Sequence, residues 1–228
     1  MEKQKNNEEK QNRVYYKFVL IGDSSTNKTS FFKKITSDIF CSKNISTIGV
    51  DKKIIRFENL EVVSPEGEKS TKNFNIDIWD TAGQERYRSL TKSYYMNSDS
   101  FLLFYDITNR ESFNYIQSWI SSIEEERGPI QEKIKEFRIV LLGNNLNLVE
   151  SNSSLRNVST EEALALCEKQ NLIWGGEISS KNMSQNELLL IVKDITKRTY
   201  NSIGNLIKKK QIAKKIKTTK TRKNCNIY

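Results

Sequence analysis

Two groups of side chains have the types and spacing for chemistry. The first is Gly22-Asp23-Ser24-Ser25-Thr26-Asn27-Lys28-Thr29-Ser30, set between an apolar run, Val14 to Ile21, and an amphipathic segment from Phe31. It keeps the spacing of the phosphate-cradling pattern G-x-x-x-x-G-K-[ST], with Asn27 where the second glycine stands. Such a loop turns backbone N–H groups toward a phosphate, with a helix N-terminus behind them. Lys28 would reach the outer phosphates, and the Thr29 hydroxyl would hold Mg²⁺. Taken alone, the same residues also describe an ordinary capped helix start. The second group is Asp80-Thr81-Ala82-Gly83-Gln84. An acid there suits outer-sphere coordination of Mg²⁺. Gly83 can offer its N–H to a terminal phosphate with no side chain in the way, and Gln84 can orient an attacking water.

Both groups need a scaffold that ends strands in loops. Val14–Ile21 predicts a strand buried on both faces, and Thr29 to about Ser37 a helix with Phe31, Phe32 and Ile35 inward. Lys53–Val63 and Asn73–Trp79 alternate as an antiparallel pair joined by a long polar turn, Ser64 to Lys72. Arg86 to about Asn97 predicts a helix and Phe101–Ile107 a strand. Ser112–Arg127 has helical spacing, with Phe113, Ile116, Trp119, Ile120 and Ile123 as a core stripe. Phe137–Leu142 and Leu172–Ile178 complete the strands. A capped helix runs from Ser159/Thr160 to Gln170, and a long helix begins at Ser184. Glu150–Asn157 is expected to be a solvated loop. The alternation predicts an α/β fold, a parallel sheet with helices on both faces and its site at the carboxyl ends of the strands.

Composition narrows the chemistry. The 228 residues include no histidine, which excludes imidazole catalysis and His-ligated zinc. Three widely spaced cysteines, Cys41, Cys167 and Cys225, argue against a disulfide framework. No apolar run approaches the ~20 residues that span a bilayer. Met1 to Arg13 is polar and reads as a disordered arm rather than a targeting peptide. Of the 37 lysines and arginines, nine lie in residues 205–228, which hold no acid; the remaining 28 match the 28 acids. The body is neutral and the tail carries the excess, which points to an anionic surface. The tail lacks the interleaved aromatics of a nucleic-acid binder, so a membrane is the expected partner.

Ile78-Trp79-Asp80-Thr81-Ala82-Gly83-Gln84-Glu85-Arg86-Tyr87-Arg88-Ser89-Leu90-Thr91 resembles the second switch of Rab-type small GTPases. Ile45-Ser46-Thr47-Ile48-Gly49-Val50-Asp51 resembles their first switch, and Ser93-Tyr94-Tyr95 and Tyr105-Asp106-Ile107-Thr108 also follow Rab usage. The resemblance covers roughly residues 14–203. It implies a P-loop NTPase G domain, with a mostly parallel six-stranded sheet and one antiparallel edge strand. A 1–13 arm would precede it and a polybasic 204–228 tail would follow. It implies GTP or GDP with Mg²⁺ as cofactors. Ser24 to Ser30 would cradle the phosphates, and Thr29, Thr47 and Asp80 would serve the metal. Phe40 would stack on the base, Gly83 would meet the γ-phosphate, and Gln84 would position the hydrolytic water. Expected partners are an exchange factor, a GTPase-activating protein and effectors that read the switches at Trp79 and Tyr94. A family phenylalanine is Lys52 here. A monomer on the cytosolic face of an intracellular membrane is implied.

The base-side loops keep the pattern only in part. In Gly143-Asn144-Asn145-Leu146-Asn147-Leu148 the family motif is N-K-x-D. Asn144 matches, Asn145 replaces the lysine and Asn147 the aspartate. A carboxylate accepts from both the guanine ring N–H and its amine, whereas an amide sets donor against donor at one of them. That costs about 2–4 kcal/mol, on the order of 10²- to 10³-fold in affinity. An amide suits a base with a carbonyl in that place, such as xanthine. In Glu177-Ile178-Ser179-Ser180-Lys181 the resemblance is to the family's S-A-K loop, and Ser180 keeps the N–H that would face the base carbonyl. Cys225, fourth from the end behind the basic run, occupies a C-a-a-X prenylation position, although Asn226 and Tyr228 are atypical. The sequence therefore supports a Rab-like switch in vesicle traffic. Its alternative is a non-hydrolysing Rab-like scaffold with weak or xanthine-type nucleotide binding; a P-loop kinase or ATPase is disfavoured by the two switch segments.

Overall fold

A computed structural model describes residues 13–37, 50–64, 67–81, 94–130 and 136–203. β1 (Arg13–Gly22) is followed by a short 3-10 turn, Ser24–Thr26, and α1 (Lys28–Ser37). β2 (Val50–Val63) and β3 (Lys69–Thr81) form a hairpin, and β4 (Ser100–Asp106) returns beside β1. α2 (Arg110–Asn114) and α3 (Ile116–Arg127) lead to β5 (Arg138–Asn144). α4 (Leu146–Ser151), α5 (Thr160–Gln170), β6 (Ile173–Glu177) and α6 (residues 185–203) complete the described chain.

The sheet has the order β2-β3-β1-β4-β5-β6 and is parallel except for the β2–β3 pair. It is the expected mostly parallel six-stranded sheet with an antiparallel edge. Register brings the strand ends level: Leu20 lies opposite Asp80, Gly22 opposite Phe104, Asp106 opposite Asn144 and Gly143 opposite Glu177. Each face buries its own core. Phe18, Leu20, Ile76 and Leu102 pack with Phe31 and Ile35 of α1 and Leu188 and Val192 of α6. Val19, Ile21, Leu103 and Leu141 pack with Trp119 and Ile120 of α3 and Ala163 and Cys167 of α5. Burying tens of apolar side chains on two faces fixes the strand ends far more firmly than any loop contact does.

Several expectations need correction. β1 is closed in on both faces only from Phe18 onward; Tyr15 is 67% exposed, because the polar N-terminal residues run past the core. The hairpin is longer than expected, so Lys69 to Lys72 lie in β3 and not in the turn. Their polar side chains suit a two-sided solvated edge ribbon and hid them from a hydrophobic reading. A bulge between Phe57 and Leu60, with Asn59 at φ 53°, reverses the facing pattern midway along β2. The helix expected over Ser112–Arg127 is two helices that meet at Tyr115, and the first starts early because Asn109 Oδ1 caps Glu111 and Ser112. α4 lies where a loop was expected through Asn157; none of its residues is buried, so no apolar stripe marked it. The 86–97 helix falls mostly outside the described residues. The Thr160 helix is confirmed, its capping box formed by Ser159 and Glu162. Among the described residues no helix is long and apolar enough to cross a membrane.

Candidate functional site

The phosphate loop is held at both ends by backbone geometry. Gly22 has φ 132°, and a Cβ there would lie 2.4 Å from the Phe104 carbonyl oxygen, so no other residue fits against β4. Thr26 then closes the turn, its N–H and hydroxyl both donating to Asp23 O at 3.2 and 2.7 Å. Asn27 takes the left-handed conformation, φ 58° and ψ 33°, and α1 begins at the next residue. The loop therefore forms without its glycine, at a backbone cost of about 1 kcal/mol that asparagine tolerates better than other side chains. Ser24 and Ser25 are exposed, Thr26 and Ser30 buried.

Two charged groups sit inside this loop. Lys28 is buried, and its ammonium donates to Gly22 O and Asp23 O, each at 2.7 Å. Burial pushes it down to about 8, against the pull of Asp80 and Asp23. Asp80, at the end of β3, is fully buried. Among the described residues neither of its oxygens has a partner in hydrogen-bonding geometry. Burial raises its carboxyl to about 6, opposed by the nearby Thr29 hydroxyl and the Lys28 charge. A buried carboxylate left without partners is costly unless a cation or ordered water completes it. That fits the role expected of Asp80, behind a cation held by the Thr29 hydroxyl. No group of three or more acidic or cysteine side chains is placed to hold a metal ion among the described residues. A donor set of hydroxyls, one acid and phosphate oxygens needs none.

The base-side loops close against the phosphate loop. Asn144, ending β5, is fully buried; its Nδ2 donates to Thr26 O and to Ser180 Oγ, each at 2.9 Å. Its Oδ1 accepts from the N–H groups of Asn145 at 2.8 Å and Ser180 at 3.2 Å. The Ser180 N–H that resemblance offers to a base carbonyl is thus engaged by Asn144. Asn145 begins α4 at φ 72°, and its Oδ1 accepts from Asn27 Nδ2 at 2.8 Å. Asn147 Oδ1 accepts from Ser179 Oγ at 2.9 Å. With Oδ1 engaged in this way, its other polar atom is Nδ2, a donor. Lys181 is exposed. At the end of β6, Glu177 holds Arg156 through both oxygens at 2.7 Å and accepts from Thr160 at 2.9 Å. Burial raises its carboxyl, but these partners outweigh that and hold it below the ordinary value. This clamp fixes the strand end from which the Ser179 loop departs.

Two contacts escaped sequence reasoning. Trp119, expected only as core, donates its indole N–H to Asp23 Oδ1 at 2.9 Å and so ties α3 to the phosphate loop. Thr81 donates to Leu20 O at 2.7 Å and pins β3 to β1 beside Asp80. At the expected effector patch, Trp79 packs on Tyr94 with ring centroids 5.7 Å apart. Lys17 Nζ lies 4.0 Å and Lys52 Nζ 5.4 Å from the Trp79 ring centroid. Lys52 thus covers the ring with a cation. Phe40, Thr47, Gly83, Gln84, Cys225 and the 205–228 tail lie outside the described residues.

The sequence profile of the Ras family matches residues 17–192. The chain is 37% identical over 154 residues to the Ras-related protein Rab-3C of Bos taurus, covering 68% of this chain and 59% of that protein. It is 34% identical over 187 residues to the Ras-related protein RABE1e of Arabidopsis thaliana, covering 82% of this chain and 77% of that one. To Rab-3B of Homo sapiens it is 34% identical over 169 residues, covering 74% and 68%. The match to the Rab-3C proteins thus spans about three-fifths of their length.

Proposed function

The chain belongs to the Ras family of small GTPases, in its Rab branch, and on that premise we propose that it is a nucleotide-dependent switch in intracellular membrane traffic. The observation that carries this reading is the meeting of Lys28, Thr29 and a fully buried Asp80 at the carboxyl edge of one sheet, the Asp80 oxygens having no partner in hydrogen-bonding geometry among the described residues. Such a constellation has little use other than to hold a cation against phosphate. Thr29 and Asp80, with Thr47 from the first switch segment, would serve Mg²⁺, which when bound neutralises phosphate charge. Lys28 keeps its ammonium within the loop on two carbonyls, ready for an anionic oxygen. Gln84 would orient the attacking water, and Phe40 would stack on the base. Exchange of GDP for GTP would order the switches and present Trp79 and Tyr94 to effectors. The nine-cation tail would hold the protein at an anionic cytosolic leaflet, each residue near the surface adding about 1 kcal/mol, with Cys225 as a site for a lipid.

At the base the chain departs from its family. With Asn147 Oδ1 engaged by Ser179, the amide would present a donor where a bound guanine would present its amine. GTP affinity is therefore reduced by about 10²- to 10³-fold, and a 2-oxo purine such as xanthine is favoured in relative terms. A second reading, a non-hydrolysing scaffold, is supported by the departures from the family pattern at Asn27, Asn145 and Asn147. Titration of the purified protein with labelled GTP, GDP and XTP, with and without Mg²⁺, and a turnover assay of the bound triphosphate separate the two. The switch requires saturable, Mg²⁺-dependent binding of at least one of them and turnover of the bound triphosphate; binding without turnover, or no binding at all, leaves the scaffold.

A further inference from the structure

We propose that Asn27 and Asn145 form one positioning element, a hydrogen-bonded bridge that ties the phosphate loop to the base-side loop. The inference rests on reading the site as a nucleotide cradle. Nδ2 of Asn27 donates to Oδ1 of Asn145 at 2.8 Å across 118 positions of chain. Both residues stand in left-handed backbone, φ 58° and 72°. Both also replace a family residue, a glycine and a lysine. Asn145 is only 8% exposed, so water competes poorly for the bond. One residue away on each side, Asn144 Nδ2 donates to Thr26 O at 2.9 Å. Two adjacent residues of one loop thus hold two adjacent residues of the other.

The chemistry makes the two departures interdependent. Glycine at 27 has no amide to give, and lysine at 145 has no acceptor to receive one. Asn145→Lys alone therefore removes the carbonyl oxygen that accepts from Asn27 Nδ2. Asn27→Gly alone strands the Asn145 carbonyl oxygen but relieves the backbone. Only the pair Asn27→Gly with Asn145→Lys removes both ends of the bridge together and leaves neither without its partner.

The test compares wild type, Asn27→Gly, Asn145→Lys and the double variant in two readouts. These are release of a fluorescent GDP with Mg²⁺ and the thermal midpoint without nucleotide. Asn145→Lys alone is expected to speed release about tenfold, the scale of one lost hydrogen bond, and to lower the midpoint. The double variant is expected to return toward wild type in both. Asn145→Asp, which keeps an acceptor for Asn27, is expected to hold the nucleotide-free midpoint near wild type, and Asn145→Leu to lower it. Additive midpoints across the four proteins overturn the bridge. If no protein binds GDP, guanine binding fails and the GTP, GDP and XTP titration decides the nucleotide reading, while the midpoints still decide the bridge.

Discussion

A carboxyl group raised to about 6 by burial makes a definite statement about stability at the residue scale. Its folded value lies above the ordinary 3.8, so between those values the folded protein holds the extra proton. Asp80 therefore destabilises the nucleotide-free, metal-free protein at neutral pH, and the penalty is relieved as pH falls through 6 toward 4. Asp80→Asn should raise unfolding stability in chelator by about 1–3 kcal/mol at pH 7. The gap from wild type should narrow by about 1 kcal/mol by pH 5, as chemical denaturation across pH 4–7 would show. The same substitution should abolish any Mg²⁺ dependence of nucleotide binding. A gap that does not move with pH would show that the carboxylate is compensated in the folded state. The residue that destabilises the protein is the one that would complete a cation shell in the proposed function, a trade of stability for function seen often at sites.

Among the elements, α3 does more than fill the core. Trp119 packs in the second core layer and donates to Asp23, so the position of the helix and that of the phosphate loop are coupled. Trp119→Phe keeps most of the apolar area and loses the N–H. Thermal unfolding should report about 1–3 kcal/mol lost, with faster nucleotide release by the same loop. Unchanged release would confine Trp119 to packing. The strands and main helices were legible because apolar spacing and glycine punctuation record burial directly. α4 was not, since none of its residues is buried, and neither was the full hairpin, since Lys69 to Lys72 are polar on a solvated edge. The phosphate loop and the odd Asn27 were legible from local pattern. Their partners were not: Thr26 and Asn27 meet Asn144 and Asn145 118 positions away, and no local signal reports a contact at that distance. The Trp119 stripe read correctly as core, yet periodicity carries no record of where an indole N–H points.

For the whole molecule, charge and fold divide the work. The body is electrically neutral and carries the cradle, and the tail carries nine cations and no acid. Replacing those nine residues with glutamine should abolish sedimentation with phosphatidylserine vesicles at physiological salt and leave nucleotide binding unchanged. Retained sedimentation would move the membrane contact to the body. The family fixes the architecture, and under the proposed function the amides at Asn27, Asn145 and Asn147 would alter the nucleotide it reads. The most direct measurement of that claim is the equilibrium affinity for GTP and XTP, with Mg²⁺, of wild type and Asn147→Asp. The account predicts that the substitution tightens GTP by about 10²-fold or more and weakens XTP, so the order of preference moves toward guanine. Equal affinities in the two proteins, or GTP bound by wild type as tightly as by Asn147→Asp, would contradict it.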